Sequence, residues 1–306
     1  MGRPVRPLRR RRRVLLVRGL RTLDRVALET TVSRPNRKRT RPNPNARSII
    51  SKRDLDVLAS IVWAGVLTTG QVERLHFPSR RRAQRRLRAL VDHGLARASL
   101  QAGALERENV YTVSPRGLDR LVEAGHFDGA APPKLGRLPR VSKLAHALAV
   151  RDVFVAAVLW ERDGESRRID VAFEGELARD EDFRRAGIVP DALVELAVGA
   201  RSTDVFVEVD LGTETTTTLR KKLERWRAFR RSGTRAFDLL VLTVREGRLR
   251  TFERLVGEVR LDADLDLLAS VAASLARRAP QPLAAAPRRA ERPAVGANAG
   301  GFRPVG

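Results

Sequence analysis

The stretch FVEVDLGTE, residues 206–214, governs how the second half of this chain is interpreted. Its β-branched and aromatic residues alternate, which is typical of a strand with two distinct faces. One face would carry Phe206, Glu208 and Asp210, with Glu214 following directly. Carboxylates on a strand of a strongly basic chain indicate either a metal site or the polar rim of an inert sheet.

The segments around this strand predict an α/β domain over residues 141–262. Three strands are predicted in RRIDVAFEGEL, PDALVELAV and DVFVEVDLG, followed by the helix TTTTLRKKLERWRAFRRSG and the strand FDLLVLTV. A buried helix, VSKLAHALAVRDVFVAAVLW, precedes them, and Asp152 within it is either a satisfied core group or part of a site. Strands followed by a helix and a returning strand imply an α/β sandwich.

The acids of this domain are expected to converge. If PDALVEL and DVFVEVD form a hairpin with its turn near 199–202, paired residue numbers sum to about 401. Asp191 would then lie opposite Asp210 and diagonal to Glu208 on one face. Three converging carboxylates repel one another unless a cation lies between them, and the hard cations Mg²⁺ and Mn²⁺ prefer oxygen ligands.

The predicted helix that follows carries a lysine inside its apolar stripe. Lys222 falls among Leu219, Leu223, Trp226 and Phe229. Its ammonium group either reaches the carboxylates or a scissile phosphate, or it bends out to solvent while its stem stays buried.

Residues 46–127 predict a winged helix-turn-helix. Ser51 with Asp54, and Thr68 with Gln71, have the spacing of capping boxes at the starts of two helices. A third helix runs from Pro78-Ser79 to a stop at Gly94. The strands LARASL and NVYTVS then flank the loop QAGALERE as a wing, and SPRGLDRLVEAG predicts a closing helix.

The third predicted helix is basic on one side. Its apolar stripe faces away from a set of polar candidates for DNA binding: Arg80, Arg81, Gln84, Arg85 and Arg88. Arginine forks suit phosphates and guanine edges, and glutamine suits adenine. The third helix is where a recognition helix belongs. The alternatives are a solvated surface or a protein-interaction module.

Composition favours nucleic acid as the partner. The net charge is +24, and residues 1–50 hold sixteen Lys or Arg against two acids. Residues 1–45 predict a disordered basic arm, 128–140 a linker, and 276–306 a disordered Pro/Ala-rich tail. No apolar run is long enough for a membrane span, and the absence of cysteine suits a reducing cytoplasm.

Two mechanisms of DNA relaxation have no support in the sequence. No Walker phosphate loop is present, so ATP-driven relaxation is not expected. The sole tyrosine, Tyr111, falls in a predicted strand of the wing, where packing explains it better than attack on DNA.

Three consecutive segments resemble the restriction-endonuclease-like, PD-(D/E)xK, core: PDALVEL, VFVEVDLGTE and the next helix with its inward lysine. The resemblance implies that Asp191 and Glu208 bind a divalent metal. Asp210 occupies the position of the family's lysine, and Lys222 is the candidate for a lysine that has moved to the neighbouring helix.

The whole arrangement over residues 48–260 resembles the replication-relaxation family, which is associated with replication and DNA relaxation of bacterial plasmids, mainly in actinobacteria. The first hypothesis is a cytoplasmic DNA-binding protein of plasmid or integrated-element replication, with double-stranded DNA and replication or mobilisation proteins as partners. The alternative is a Mg²⁺- or Mn²⁺-dependent endonuclease in which Asp191, Glu208 and Asp210 bind the metal and Lys222 stabilises the phosphate. A protein-interaction factor in a mobilisation complex is a third hypothesis.

Overall fold

The computed structural model of this chain describes residues 49–100, 108–127, 135–162, 167–198, 201–234, 237–243, 246–261 and 267–271. The predicted arm and tail, most of the predicted wing loop and part of the predicted linker lie outside these ranges. The described residues divide into two compact units, and the first, here the N-terminal unit, comprises 49–171 and 194–202. The second, here the sheet unit, comprises 172–193 and 203–271.

The N-terminal unit begins with three helices and a small sheet. Its elements are α1 (Lys52–Ala64), β1 (Leu67–Thr68), α2 (Thr69–His76), α3 (Arg80–Asp92), β2 (Ala96–Leu100), β3 (Asn109–Val113) and α4 (Pro115–Glu123). The three strands are antiparallel in the order β1-β3-β2. The four helices and the strands β2 and β3 were predicted from the sequence, so that part of the prediction is confirmed, whereas β1 was not predicted.

Local signals set the helix ends of this unit. The Thr68 N–H donates to the Gln71 side chain at 2.9 Å and the Gln71 N–H donates to the Thr68 hydroxyl at 3.2 Å, which completes the predicted capping box. Gly65 ends α1 with a φ of 75°, a conformation that favours glycine.

A buried ion pair fixes α1 against α3. Asp54 is 1% exposed, and its carboxylate accepts bonds from the Ser51 N–H and from two nitrogens of Arg86. Burial raises the pKa of Asp54, but the hydrogen bonds from Arg86 and Ser51 outweigh burial and leave the pKa below its usual range. The same carboxylate therefore caps one helix and orients another.

The long helix α5 (Val141–Arg162) packs on α2 and belongs to the N-terminal unit. The Gln71 amide donates to the Leu148 carbonyl at 3.0 Å and to Asp152 at 3.1 Å, and Arg74 forms an ion pair with Asp152. Arg162 donates to the carbonyl of Leu75. The second domain was predicted to begin with this helix, and these polar contacts with α2 explain why the helix belongs to the N-terminal unit. Asp152 is a satisfied structural group.

The remaining elements are β4 (Arg167–Phe173), α6 (Glu174–Leu177), α7 (Glu181–Ala186), β5 (Ala192–Val198), β6 (Arg201–Asp210), α8 (Thr216–Arg231), β7 (Asp238–Thr243), α9 (Glu246–Val259) and β8 (Leu267–Val271). Among the described residues they contain a five-stranded sheet of order β4-β5-β6-β7-β8. β6 and β7 are parallel, as are β7 and β8. The mixed α/β class expected from the sequence is confirmed.

Three details of the second half differ from the sequence prediction. The predicted first strand ends at Phe173, because EGEL forms α6. The sheet continues past residue 262 to β8, and neither α9 nor β8 was predicted. The Asp191 N–H donates to the Val207 carbonyl at 3.0 Å, so Asp191 lies beside Val207 and not opposite Asp210.

The register differs because β6 already begins at Arg201 and takes up residues that were assigned to the turn.

An aromatic cluster forms the core of the sheet unit. Its rings are Phe183, Phe206, Trp226, Phe229 and Phe237, with centroids between 4.6 and 6.3 Å apart. Such pairs contribute about 0.5–1.5 kcal/mol each beyond burial of their area. The stripe of α8 thus packs on the β6 face that carries Phe206, which places Lys222 of α8 beside Glu208.

No helix among the described residues is long and apolar enough to cross a membrane.

Gly117→Ala should destabilise the protein by about 1–3 kcal/mol through overpacking. A Cβ at Gly117, in the first turn of α4, would lie 2.1 Å from the Leu95 carbonyl oxygen and 2.8 Å from a Val113 methyl carbon. Urea unfolding measures the loss. Gly175→Ala is the matched control, since nothing lies within 4 Å of its added Cβ. Equal stability of the two variants would contradict the packing of α4.

Candidate functional site

Asp191 is fixed by three backbone contacts just before β5. Besides its N–H bond to Val207, its carbonyl accepts from the Glu174 N–H at 3.1 Å. Its carboxylate accepts from the Val209 N–H at 2.7 Å. The side chain is therefore held over the end of β6, close enough for its charge to affect Glu208.

Glu208 is a buried carboxylate on the α8 side of β6. It is 4% exposed; one oxygen accepts from the Trp226 indole N–H at 2.9 Å, and the other pairs with the Lys222 ammonium group. Burial raises the pKa of Glu208 to about 7, and the neighbouring Asp191 charge adds to this, while Lys222 and Trp226 act in the opposite direction.

Lys222 brings a positive charge to this carboxylate from α8. Its side chain is 29% exposed, and its Nζ also lies 3.9 Å from a carboxylate oxygen of Glu214. Burial alone would lower the pKa of Lys222, but the charges of Glu208, Asp191 and Glu214 outweigh it and the pKa is raised. Lys222 therefore stays positively charged at neutral pH.

Asp210 faces a different cation. Its carboxylate pairs with Arg248 of α9 and accepts from the Gly212 N–H at 2.9 Å. Arg248 also donates to the Glu214 carbonyl at 2.6 Å, so one guanidinium joins β6 to the segment before α8. The structure thus brings Asp191, Glu208 and Lys222 together and holds the Asp210 carboxylate on Arg248. Within the described ranges, no three His, Asp or Glu side chains are grouped to hold a metal ion.

These groups line a small pocket in the sheet unit. Glu208, Asp210, Glu214 and Lys222 contribute its polar wall, and its volume is about 10 Å³. That is room for about one water molecule. A carboxylate with a pKa near neutrality beside a lysine can exchange protons there, although structural ion pairs also perturb pKa values.

Two contacts of this site were not predicted from the sequence. Trp226 was assigned only to the apolar stripe of α8, yet a buried indole N–H requires an acceptor, which was the signal for Glu208. Arg248 lies on α9, a helix that was not predicted, so nothing in the sequence analysis pointed to its pairing with Asp210.

The second candidate surface is the exposed side of α3. Its buried stripe is Ala83, Leu87, Leu90 and Val91, as predicted. All five polar residues predicted for DNA contact are exposed: Arg80, Arg81, Gln84, Arg85 and Arg88. Two of these residues form ion pairs: Arg80 pairs with Glu108 at 3.1 Å, and Arg88 pairs with Asp92 at 2.9 Å.

The arginines of α3 that have no ion pair among the described residues are Arg81, Arg82 and Arg85. Arg82 was not among the predicted residues, although its position about 140° around the helix from the buried Leu87 predicts an exposed side chain. Glu108 was read only as part of the predicted wing loop. Its contact with Arg80 joins residues that are far apart in the sequence, and no local pattern predicts such a contact.

The fold and these sites define a mixed α/β protein with two units, one exposing an arginine-rich helix and the other holding a buried carboxylate–lysine pair. The chain matches the model of the replication-relaxation family over residues 58–238, and it belongs to that family. The predicted family is therefore confirmed, and membership associates the chain with replication and relaxation. No curated protein and no solved structure matches the chain.

Glu208→Gln should change the pH dependence of stability. The pKa of Glu208 rises from 4.5 to about 7 on folding, so the folded protein retains a proton that the unfolded chain releases. Its contribution is fully present below pH 4.5 and is lost as the pH rises through about 7. Relative to the Gln variant, the wild type should lose stability over that window.

Urea unfolding at a series of pH values measures this difference. The exposed Glu224→Gln is the control and should follow the wild type. A constant gap between wild type and Glu208→Gln across the window would contradict the raised pKa.

Proposed function

We propose that this protein is a DNA-binding protein of plasmid or integrated-element replication and DNA relaxation, and that it recognises duplex DNA through a winged helix within residues 46–127. The proposal rests on the exposed arginines of α3 that have no ion pair within the described part of the chain. Its partners are double-stranded DNA and, through it, replication or mobilisation proteins. Membership of the replication-relaxation family supports the biological setting.

The topology of the N-terminal unit supports a winged helix. The order α1-β1-α2-α3-β2-β3 with an antiparallel β1-β3-β2 sheet is typical of that fold. A short turn between α2 and α3 is the helix-turn-helix arrangement, in which the second of the two helices enters the major groove. In this chain that helix is α3.

The charges on α3 support DNA as the ligand. Arg81 and Arg85 are one turn apart and exposed, and Gln84 is exposed between them. Guanidinium groups without a carboxylate partner are available to phosphates and guanine edges, and the amide is available to adenine. A protein-interaction surface would not require this uncompensated charge.

Arg81→Ala/Arg85→Ala should weaken binding to a short labelled duplex and flatten its salt dependence. Each lost phosphate contact lowers the slope of log K against log salt by about 0.9, so the pair should lower it by about 2. Fluorescence anisotropy at several salt concentrations measures both quantities on the full chain.

The matched control is Arg184→Ala/Arg185→Ala, which removes the same charge from exposed positions of α7. If both double variants reduce affinity and slope equally, the effect is one of net charge and α3 is not the contact surface. If neither double variant reduces affinity, the result favours the protein-interaction hypothesis.

A second candidate function is a magnesium-dependent endonuclease, and one observation favours it. Lys222 reaches Glu208 from the neighbouring helix, and Asp191 lies near enough to raise the pKa of Glu208. This is the set of two acids and a lysine expected from the resemblance to PD-(D/E)xK nucleases.

The residues fit a magnesium ion in part. Mg²⁺ is commonly bound by one or two carboxylates and completes its shell with waters and phosphate oxygens. Asp191 and Glu208 would be those carboxylates, whereas Asp210 is paired with Arg248. A bound Mg²⁺ would lower the pKa of a water and offset charge on the leaving oxygen. Lys222 would release Glu208 and hold a phosphate oxygen by its charge.

Incubation of the full chain with supercoiled plasmid in Mg²⁺, Mn²⁺ or EDTA tests this candidate, with nicking followed on a gel. Endonuclease activity predicts metal-dependent nicking that Asp191→Asn/Glu208→Gln lacks, while Glu174→Gln/Glu176→Gln on α6 retains it. If the wild type shifts the DNA in all buffers and nicks it in none, the endonuclease candidate is rejected and the DNA-binding role stands.

A further inference from the structure

Three of the six arginines of α3 form ion pairs with acids, and three, Arg81, Arg82 and Arg85, form none with the described residues. Arg86 pairs with the buried Asp54, Arg80 pairs with Glu108, and Arg88 pairs with Asp92. The Arg88 pair lies within the helix, and its guanidinium side chain is 55% exposed, so a phosphate can compete for it. Arg80 is held differently, because its acid comes from another part of the unit.

The carboxylate of Glu108 is itself fixed by backbone. One oxygen accepts from the Gly70 N–H in the first turn of α2 at 2.6 Å and lies 3.1 Å from Arg80. The side chain of Glu108 is only 24% exposed. A negative charge is also favoured at the start of a helix, where backbone N–H groups lack partners. Glu108 therefore does not have to be ordered by Arg80 in order to hold it.

Glu108 and Arg80 approach the backbone of α2 at a glycine. A Cβ at Gly70 would lie 3.2 Å from the Glu108 carboxylate oxygen and 3.6 Å from an Arg80 nitrogen. An alanine at this position would push the Glu108 carboxylate aside by a few tenths of an ångström. Gly70, Glu108 and Arg80 thus form a junction between the first turn of α2, the residue before β3 and the first turn of α3.

The position of Arg80 on the helix agrees with this role. At about 100° per residue, Arg80 lies only about 20° from the direction of the buried Leu87. Arg85 lies about 160° from that direction, and Arg81 and Arg82 flank Arg85 within about 60° on either side. The centre of the exposed face is therefore formed by Arg81, Arg82 and Arg85, and Arg80 lies outside that face, on the side of Leu87.

We propose that Glu108 limits the phosphate affinity of α3 by holding the Arg80 guanidinium, so that Arg81, Arg82 and Arg85 make the backbone contacts to DNA. Glu108 is a positioning residue that acts through Arg80, and Arg82 is a further contact residue. This inference rests on the proposed DNA-binding function and specifies which cations of the α3 face serve it.

Glu108→Gln tests the inference in the full chain, because the amide keeps an oxygen for the Gly70 N–H and loses the charge that holds Arg80. Affinity for a mixed-sequence duplex should rise about five- to tenfold at ~0.1 M salt, and the salt slope should steepen by about 0.9. Arg80→Ala alone should leave both quantities close to wild type. In the double variant Glu108→Gln/Arg80→Ala the gain should vanish.

Arg82→Ala supplies an independent measurement that leaves the junction intact, and it should flatten the salt slope by about 0.9. Thermal unfolding of every variant identifies any loss of fold. The inference is overturned if Arg80→Ala flattens the slope as Arg82→Ala does, or if folded Glu108→Gln binds like wild type. Failure of the DNA-binding function itself would look different, since the wild type would then not bind duplex, or would bind it without dependence on Arg81 and Arg85.

Discussion

A carboxylate removed from water needs a cation, and this requirement organises both units of the protein. Asp54 has Arg86, Glu208 has Lys222, and Asp210 has Arg248. Each pair joins two elements: α1 to α3, β6 to α8, and β6 to α9. Taking one partner from a buried pair typically costs about 3–5 kcal/mol, because the other charge is left without compensation. Helix orientation in both units is therefore tied to charge neutrality inside the core.

The same requirement creates a conflict at the end of β6. An acid that pairs with a lysine stabilises the fold, while an acid that binds a metal has to be open to it. Glu208 is the point of conflict, since both of its oxygens are engaged and burial raises its pKa to about 7. Asp210 has a structural role, because its carboxylate pairs with Arg248. On α3 the division is similar, with Arg86 structural and Arg85 open to solvent.

Helix ends and buried helix faces could be predicted from the sequence, whereas strand register and contacts between distant segments could not. Several predicted features depend on spacing within a few residues, and the structure contains them. They are the capping box at Thr68, the end of α1 at Gly65 and the apolar stripes of α3 and α8. The β5–β6 register depends on where a turn begins, and an error of a few residues moved Asp191 from Asp210 to Val207. Contacts such as Glu108 with Arg80 arise only when distant segments pack together, so no periodicity encodes them.

The docking of α5 has a consequence for how this architecture can be recombined in evolution. Gln71, Arg74 and the Leu75 carbonyl on α2 find their partners on α5, and Gly136 approaches Gly65 so closely that an added Cβ would lie 2.2 Å from the Gly65 oxygen. A gene fusion that cut the chain within the linker would strip these polar groups of their bonds. A segment that is transferred with all of these bonds intact therefore has to extend from α2 to Arg162.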